Sequence, residues 1–331
     1  MMKGLFLLNE IRAIFFLLLV GLFVVSCGKS KKEKSQKMIK KILFIYSLFF
    51  ILIPGGLSAQ DVQDEKYTFN LDGRERIYYL HFPEKLAEKA PLVFVFHGYG
   101  GSAKKMIDYS KMNAVADQNG FAVCYPQGVY GSDNKNSWNA GYSNPDVDDV
   151  KFISSLARHL QEAYKLSAEN TFATGMSNGA DICYVLACRA PDVFSAVAPV
   201  AGCMMESTFN ACKPLRPVPV FEIHGTDDDI TLWNGDPDYS EEYGGYKGVR
   251  ETFNFWMGIN QCNELQRDIL PDKVKDDKSF IVREMYSSGV NGNQVWLYTL
   301  VGGKHDWPGS WGNMDIDSAE EIWIFFKQFI K

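Results

Sequence analysis

Short, continuous apolar runs separated by helical patterns are the feature that most constrains the fold. The run 91–96 shows no polar alternation, which is typical of a strand buried on both faces of a sheet. Similar runs occur at 121–125, 194–200 and 218–223, and further strands are expected near 279–286 and 294–301. Between the runs, helical patterns are centred on 104–118, 147–164, 180–187, 247–259 and 317–330. This alternation is typical of parallel βαβ units, so the sequence predicts an α/β fold with a mostly parallel central sheet flanked by helices.

An antiparallel hairpin is predicted ahead of the first buried strand. Tyr67, Phe69 and Leu71 alternate with polar residues up to Asp72-Gly73, and a second β-rich run, 77–80, follows. Two such runs around Asp-Gly indicate a hairpin, which we expect at one edge of the sheet.

The first 59 residues predict an export leader. Residues 1–27 run from a weakly basic start through an apolar stretch to Ser26-Cys27, which resembles a bacterial lipoprotein signal. An ordinary signal peptide that ends in cysteine is the alternative. Residues 38–59 form a second signal-like segment, with a basic start, about a dozen apolar residues and small residues before Gln60. That apolar stretch is shorter than the roughly 20 residues of a membrane span.

Two tandem export signals are redundant, so two interpretations remain open. Either Cys27 is lipidated, or translation starts at Met38 and residues 1–37 are an upstream extension. Both interpretations predict an exported protein that is periplasmic, an outer-membrane lipoprotein or extracellular.

The charge of residues 60–331 limits the partners of the chain. This segment holds 25 Lys and Arg against 38 Asp and Glu, which gives a net charge near −13. Such acidity argues against nucleic acid and anionic membrane surfaces, and leaves an N-terminal lipid as the route to a membrane. Residues 60–331 contain no repeat or linker pattern, so we expect a single catalytic domain.

Six cysteines follow the leader. Cys183 and Cys188 point to different faces of one predicted helix, and Cys124 lies within an apolar run as a small core residue. Cys203 and Cys212 bracket a short loop, and we expect them to form a disulfide in an exported protein. None of the cysteine spacings suggests a metal site.

A serine between two glycines marks a sharp corner in the chain. Gly175-Met176-Ser177-Asn178-Gly179 follows the strand-like segment 171–174 and precedes a helical pattern. Because larger residues two positions from Ser177 would collide with the neighbouring strand and helix, packing requires both glycines. This is the pattern of a nucleophile elbow, with Ser177 as the nucleophile. A glycine-rich turn without chemistry is the alternative.

The base and acid that would activate Ser177 should follow it in the chain. His305 lies in a glycine-containing loop after an apolar run, where a base is expected. His224 is expected to shape the turn that carries the acid. Three consecutive aspartates, 227–229, follow that turn, and the residues alone leave open which of them serves His305.

An oxyanion hole requires two backbone donors near the serine. The first is expected to be the N–H of Asn178, directly after the nucleophile. The second is expected to be the N–H of Tyr99, in the glycine-rich segment 97–101 after the buried run 91–96. A tight glycine turn is the alternative interpretation of that segment.

Seven segments together resemble one branch of the α/β-hydrolases. In order they are FVFHGYGGSA, SWNAG, DVDDVKFI, GMSNGA, AVAPVAG, IHGTDD and GGKHDWPG. They are similar to the polyhydroxybutyrate depolymerase and feruloyl esterase group and extend over nearly all of residues 65–331. The resemblance implies an α/β-hydrolase fold and ester hydrolysis through an acyl-enzyme, without metal or cofactor. Its His-Gly-Thr-x-Asp pattern singles out Asp228 as the acid.

Two tryptophans are expected to wall the acyl or alcohol pocket. They are Trp138, in the segment SWNAG, and Trp307, two residues after His305. Core packing is the alternative, above all for Trp138. For Asp148 and Asp149, capping and negative charge at a helix N-terminus are the preferred interpretation over acid–base chemistry.

The chain departs from the family pattern at two positions. Lys304 stands where a further glycine is common, which places a cation beside the base. A cysteine near Cys262 is commonly paired with a later one, but no cysteine follows Cys262 in this chain.

The substrate is expected to be a small ester or an esterified polysaccharide. Feruloyl (hydroxycinnamoyl) or acetyl esters of plant cell-wall polysaccharide are preferred, and polyhydroxyalkanoate is the alternative within the same reaction class. A non-catalytic glycan-binding lipoprotein on the same fold is the alternative from another class.

Overall fold

The computed structural model describes residues 65–141, 147–238 and 244–331, all within the compact unit Asp64–Lys331. The strands are β1 (Glu65–Leu71), β2 (Arg74–His81), β3 (Leu92–Phe96), β4 (Ala122–Pro126), β5 (Val129–Tyr130), β6 (Asn136–Ser137), β7 (Thr171–Met176), β8 (Ala196–Val200), β9 (Met204–Met205), β10 (Val220–Gly225), β11 (Gly235–Asp236), β12 (Tyr246–Lys247), β13 (Glu264–Ile269), β14 (Phe280–Ser287) and β15 (Val295–Val301). The predictions for the leader, residues 1–59 with Cys27 and Met38, lie outside the described residues.

Seven α-helices accompany these strands in the described ranges. They are α1 (Ala103–Ser110), α2 (Met112–Asn119), α3 (Asp149–Ala163), α4 (Asn178–Arg189), α5 (Glu206–Ala211), α6 (Val249–Asn260) and α7 (Ser318–Phe326). Short 3-10 turns lie at Lys275–Asp277, Val290–Gly292 and Lys327–Phe329. None of the described helices is long and apolar enough to span a bilayer.

Ten strands form the central sheet, in the spatial order β1-β2-β4-β3-β7-β8-β10-β15-β14-β13. The six strands from β4 to β15 in this order run parallel, and the strands outside them pair antiparallel. This arrangement confirms the predicted α/β-hydrolase fold and the β1–β2 hairpin. The strand β13 at the opposite edge was missed, because its side chains are mostly exposed and show no apolar pattern.

The parallel strands are buried because helices cover both faces of the sheet. In β3, Leu92, Phe94 and Phe96 pack with α3, α4 and α6 on one face. Val93 and Val95 pack with α1, α2 and α7 on the other face. A strand covered on both faces needs apolar side chains at every position, which explains its uninterrupted apolar run.

The predicted helix 104–118 is two helices. Lys111 has left-handed backbone angles, with φ 58°, and separates α1 from α2. Gly120, with φ 75°, then ends α2 by donating its N–H to the Ala116 carbonyl. Apolar spacing alone continues through Lys111, so the sequence did not indicate the break.

The expected Cys203–Cys212 disulfide is wrong. Cys212 is bonded instead to Cys188, with a Cα–Cα distance of 5.2 Å. The short helix α5 carries the chain away from Cys203 and brings Cys212 to the last turn of α4, where Cys188 lies. Cys203 is a free thiol, 3.9 Å from the Met205 sulfur.

Candidate active site

The carboxyl ends of the parallel strands meet at one edge of the sheet, and the predicted site residues follow four of them. Tyr99 comes after β3, Ser177 after β7, Asp228 after β10 and His305 after β15. In the register of the sheet, Phe96 is opposite Gly175, and Gly225 is opposite Leu300. The fold therefore brings together loops from distant parts of the chain at the edge where ligands bind in open α/β sheets.

Ser177 occupies a strained backbone conformation between β7 and α4. Its φ is 56° and its ψ is −126°, which are unusual values for a residue with a side chain. Its N–H donates to the Val200 carbonyl at 2.9 Å, and its carbonyl accepts from the N–H groups of Ala180 and Asp181. These bonds join strand to helix without an intervening loop, so the serine stands at the tip of a sharp turn.

Three glycines make that turn sterically feasible. A Cβ on Gly175 would lie 2.5 Å from the Gly179 carbonyl oxygen. A Cβ on Gly179 would lie 2.7 Å from the His97 carbonyl oxygen and closer still to that of Phe96. A Cβ on Gly98 would meet the Ser177 Cβ at 3.2 Å. The predicted packing requirement for Gly175 and Gly179 is thus confirmed.

The imidazole of His305 is hydrogen-bonded to a buried carboxylate. Its Nδ1 donates to Asp228 Oδ2 at 2.8 Å. The other oxygen of Asp228 accepts from the N–H groups of Ile230 at 2.9 Å and Thr231 at 2.8 Å. Of the three consecutive aspartates, only Asp228 is buried, while Asp227 and Asp229 face solvent.

The charge of Asp228 is maintained by its partners. Burial alone would raise the pKa of this carboxyl, but hydrogen bonds from His224 and His305 outweigh burial and hold its pKa well below the usual range. Asp228 therefore stays ionised at neutral pH and able to orient an imidazole.

Backbone hydrogen bonds tie the His305 loop to the Asp228 turn. Thr226 N–H donates to the Leu300 carbonyl, and Asp227 N–H donates to the Gly303 carbonyl, both at 2.9 Å. The Thr226 hydroxyl accepts from Gly302 N–H at 2.9 Å. These bonds fix the distance between the two loops and hence the His305–Asp228 pair, while Lys304 faces solvent.

The segment after β3 is held by a buried histidine that the sequence did not single out. His97 Nε2 accepts from Gly128 N–H at 3.0 Å and from the Gln127 amide at 2.9 Å, and its Nδ1 donates to the Gly98 carbonyl at 2.7 Å. These bonds require a neutral ring. Burial lowers the pKa of His97 to about 4, which is consistent with that requirement. The ring fixes the backbone that leads to Tyr99, whose hydroxyl donates to Asp133.

Trp138 braces the same segment from the interior and does not line a pocket. Its indole has no exposed surface and donates to the His97 carbonyl at 2.9 Å. Trp307 is also fully buried and packs behind Tyr109, with ring centroids 6.4 Å apart. The expectation that these indoles wall the pocket is wrong, because side chains without accessible surface cannot contact a ligand.

Asp148 and Asp149 have different roles. Asp148 caps α3 by accepting from Lys151 N–H at 3.0 Å, as expected. Asp149 is buried and forms an ion pair with Arg76 at 2.8 Å, and its second oxygen accepts from Asn139 N–H at 2.7 Å. Asp149 is the acidic residue in the first turn of α3, as expected, but its ion pair with Arg76 was not predicted. No local signal could have linked it to Arg76, because the two residues are 73 positions apart.

A largely apolar cavity of about 540 Å³ lies beside the elbow. Met106, Tyr109 and Met176 contribute apolar surface, and His97, Gly98, Gly101, Ser102, Lys105, Asp108, Lys111 and Ser310 complete the lining. Trp311 follows Ser310 and is 67% exposed. Among the described residues, no cluster of His, Cys, Asp and Glu could hold a metal ion.

Comparisons with known proteins agree with this geometry. Residues 76–232 match the family described as Esterase PHB depolymerase. The putative esterase NocK of Nocardia uniformis subsp. tsuyamanensis is 31% identical over 253 residues, which cover 72% of each chain.

Two further relatives carry more specific names. Feruloyl esterase B of Piromyces equi is 28% identical to this chain. The matched region covers 72% of this chain and 42% of the length of that protein. Poly(3-hydroxyalkanoate) depolymerase C of Paucimonas lemoignei is 25% identical over 85% of this chain and 69% of its own length.

A solved structure with the same fold is the acetyl xylan esterase from Aspergillus awamori. It superimposes with a TM-score of 0.56 at 16% identity, over 80% of this chain and 98% of that one. Sequence similarity, sheet topology and the geometry of the Ser177 turn all indicate an α/β-hydrolase. The chain belongs to the polyhydroxybutyrate depolymerase and feruloyl esterase group of α/β-hydrolases, and it is a carboxylic ester hydrolase.

Proposed function

We propose that the chain hydrolyses its ester through a Ser177–His305–Asp228 triad. The observation that carries the proposal is the 2.8 Å bond between His305 and Asp228 at the sheet edge where the Ser177 elbow also stands. Ser177 Oγ attacks the ester carbonyl while His305 takes its proton and then delivers it to the leaving alcohol. Water, activated by the same imidazole, hydrolyses the acyl-enzyme and regenerates the serine. Asp228 holds His305 with Nε2 free of its proton for that task.

The oxyanion of each tetrahedral intermediate would be bound by the N–H groups of Asn178 and Tyr99. Asn178 is the first residue of α4, so its N–H lies at the positive end of a helix dipole. Tyr99 follows Gly98, whose close approach to the Ser177 side chain supports the second donor. Both donors belong to the backbone and are held before substrate arrives, which is how such holes lower a barrier.

The preferred substrate is a hydroxycinnamoyl ester carried on a plant polysaccharide. The cavity beside Ser177 is apolar and large, and an acetyl group would leave most of its roughly 540 Å³ unfilled. Met106, Tyr109 and Met176 offer the contacts that a flat aromatic acyl group can use. Acetyl esters remain the smaller alternative within the same site.

Polyhydroxyalkanoate oligomers are the second candidate substrate. The exposed residue Trp311, next in the chain to Ser310 of the cavity lining, supports this candidate, because a hydrophobic polyester needs apolar surface to bind. A role restricted to glycan binding is disfavoured, because a binding protein gains nothing from the strained backbone at Ser177.

Hydrolysis of three esters tests the reaction and ranks the substrates. We would assay methyl ferulate, an aryl acetate and short hydroxybutyrate oligomers with the wild-type protein, Ser177→Ala and the exposed-loop control Ser132→Ala. Loss of turnover in Ser177→Ala alone is expected. Full turnover in that variant would eliminate the nucleophile, and absence of turnover by the wild type on every ester would favour binding without catalysis.

We also propose that the protein is exported, through the leader of residues 1–59 ahead of the catalytic domain of residues 60–331. The Cys188–Cys212 disulfide supports an oxidising compartment. Sequencing the N-terminus of the protein from fractionated native cells is the test. A blocked, lipid-labelled Cys27 would indicate an anchored lipoprotein, a terminus near Gln60 would indicate cleavage of the second signal, and recovery in the cytoplasm with Met1 intact would refute export.

A further inference from the structure

A second histidine lies behind the Asp228 carboxylate, within reach of the same oxygen that His305 uses. His224, in β10, is fully buried, and its Nε2 lies 3.3 Å from Asp228 Oδ2. The same nitrogen is 2.9 Å from the Thr231 carbonyl oxygen. Because a carbonyl can only accept, His224 Nε2 must carry a hydrogen.

The opposite nitrogen of His224 faces a second buried carboxylate. His224 Nδ1 lies 3.1 Å from Glu222 Oε1, and Glu222 Oε2 accepts from the Tyr184 hydroxyl at 2.6 Å. An ionised carboxylate accepts at both oxygens, so a charged Glu222 would take the Tyr184 hydroxyl on one oxygen and a hydrogen from His224 Nδ1 on the other. The ring then needs a hydrogen on each nitrogen, which makes it an imidazolium.

The charges around His224 favour that state. Its surroundings include Glu222 on its own strand, Asp228 on the following turn and Tyr184 on α4, while Trp233 contributes an apolar ring edge 6.1 Å away. Further charged or titratable groups that interact electrostatically with these carboxylates or with Tyr184 are Asp181, Cys203, Tyr246, His305 and Asp306. Burial would lower the pKa of His224, but its bonds to Asp228 and Glu222 outweigh burial and raise that pKa to about 10.

We propose that His224 is a positioning residue for the triad: a buried imidazolium, held by Glu222, that fixes the Asp228 carboxylate for His305. The inference rests on the proposed catalytic roles of Asp228 and His305. Without His224, the Asp228 oxygen that serves His305 loses its ion pair with the buried ring, and the carboxylate is free to rotate away. With His224, two cations share one carboxylate once His305 takes the serine proton, and Glu222 balances the additional charge.

The protonation state of His224 is testable without substrate. The chain has five histidines, so nitrogen-15 labelling of histidine gives a spectrum that single substitutions can assign. We expect both ring nitrogens of His224 to stay protonated from pH 6 to pH 9. An unprotonated nitrogen at His224 in that range overturns the proposal, whatever the enzyme hydrolyses. This readout also separates the proposal from the proposed function, whose failure would appear as turnover in Ser177→Ala.

The positioning role is tested by His224→Gln, with His159→Gln as the matched control because His159 is exposed on α3. We expect His224→Gln to lower kcat at least tenfold with little change in KM, and to shift or broaden the proton signal of the His305–Asp228 hydrogen bond. Unchanged kcat and an unchanged signal would overturn the role.

A double variant distinguishes a loss of the positioning role from a loss of the fold. Glu222→Gln/His224→Gln removes both charges together, so it avoids leaving Glu222 buried without its cation. It should fold, as measured by circular dichroism, and still show the loss of kcat. A folded double variant with wild-type kcat would overturn the proposal.

Discussion

The side-chain amide of Asn178 forms hydrogen bonds with both the N–H and the carbonyl group of Trp138. Asn178 Oδ1 accepts from Trp138 N–H at 2.7 Å, and Asn178 Nδ2 donates to the Trp138 carbonyl at 3.1 Å. Because Trp138 in turn donates to the His97 carbonyl, this clamp connects the elbow of Ser177 to the segment that carries Tyr99. The two proposed oxyanion donors are thereby held in a fixed relation.

Asn178→Ala should lower the free energy of unfolding by about 1 to 3 kcal/mol, because it removes two buried hydrogen bonds from Trp138. It should also lower kcat, since the backbone N–H groups lose their fixed spacing. Urea denaturation and ester kinetics measure the two effects. Asn119→Ala removes one partly buried hydrogen bond of an exposed side chain, and it should stay within about 0.5 kcal/mol of the wild type. Equal losses in the two variants would contradict the clamp.

Gly179→Ala should be strongly destabilising, by more than about 2 kcal/mol, because the new methyl group would overlap the backbone of Phe96 and His97. Gly258→Ala is the matched change in a helix with open space around the Cβ position. It should stabilise the protein by about 0.5 to 1 kcal/mol through the higher helix propensity of alanine. Thermal unfolding compares the two, and similar melting temperatures would mean that the elbow is less tightly packed than described.

Acid should lower the free energy of unfolding, because His97 is buried in its neutral form. Its pKa is lowered to about 4 in the folded protein, so below pH 6.5 the unfolded chain binds a proton that the folded protein does not. The stability associated with the neutral ring is therefore present above pH 6.5 and is lost as the pH falls towards 4, by about 3 kcal/mol.

Urea denaturation of wild type and His97→Gln at pH 7, 5 and 4 measures that loss. The stability difference between them should shrink as the pH falls, while exposed His159→Gln should track the wild type. A constant difference across this range would show that His97 is not the group responsible.

Loss of the Cys188–Cys212 disulfide should cost about 3 kcal/mol, because the bond closes a loop of 24 residues in the unfolded chain. The double variant Cys188→Ala/Cys212→Ala should melt at a lower temperature than the wild type under oxidising conditions and at about the same temperature in reductant. Cys203→Ala serves as the control, since Cys203 is a free thiol. A lowered melting temperature only in Cys203→Ala would contradict the observed pairing.

The parts of the fold that the sequence predicted share one property: their signal is local. The elbow is visible because Gly175, Ser177 and Gly179 satisfy their steric needs within five residues. The buried parallel strands are visible because cover on both faces requires uninterrupted apolar residues, as in Leu92–Phe96. The loop positions of His305 and of the aspartates 227–229 followed from strand ends in the same way, whereas Asp228 itself was singled out by the family resemblance; the structure joins Asp228 to His305.

The parts that were missed depend on contacts between distant segments. Arg76 and Asp149, or Cys188 and Cys212, meet only after the sheet has ordered the chain. The indoles of Trp138 and Trp307 could face a pocket or the core, and only the packing of neighbouring loops decides between them. Strand β13 lies at the edge of the sheet, where it pairs with one strand and its side chains are mostly exposed to solvent. It therefore has no need of an apolar pattern.

The ion pair between Arg76 and Asp149 has a consequence for shortened forms of the chain. Arg76 lies on β2, near the outer edge of the sheet, yet its guanidinium reaches the carboxylate that secures Asn139, next to Trp138. A chain that begins after β2 would lack Arg76 and leave the buried Asp149 carboxylate without its cation, which would lower the free energy of unfolding by about 3 to 5 kcal/mol. The N-terminal hairpin thus supports the proposed catalytic centre, and we expect a minimal active fragment to begin before it.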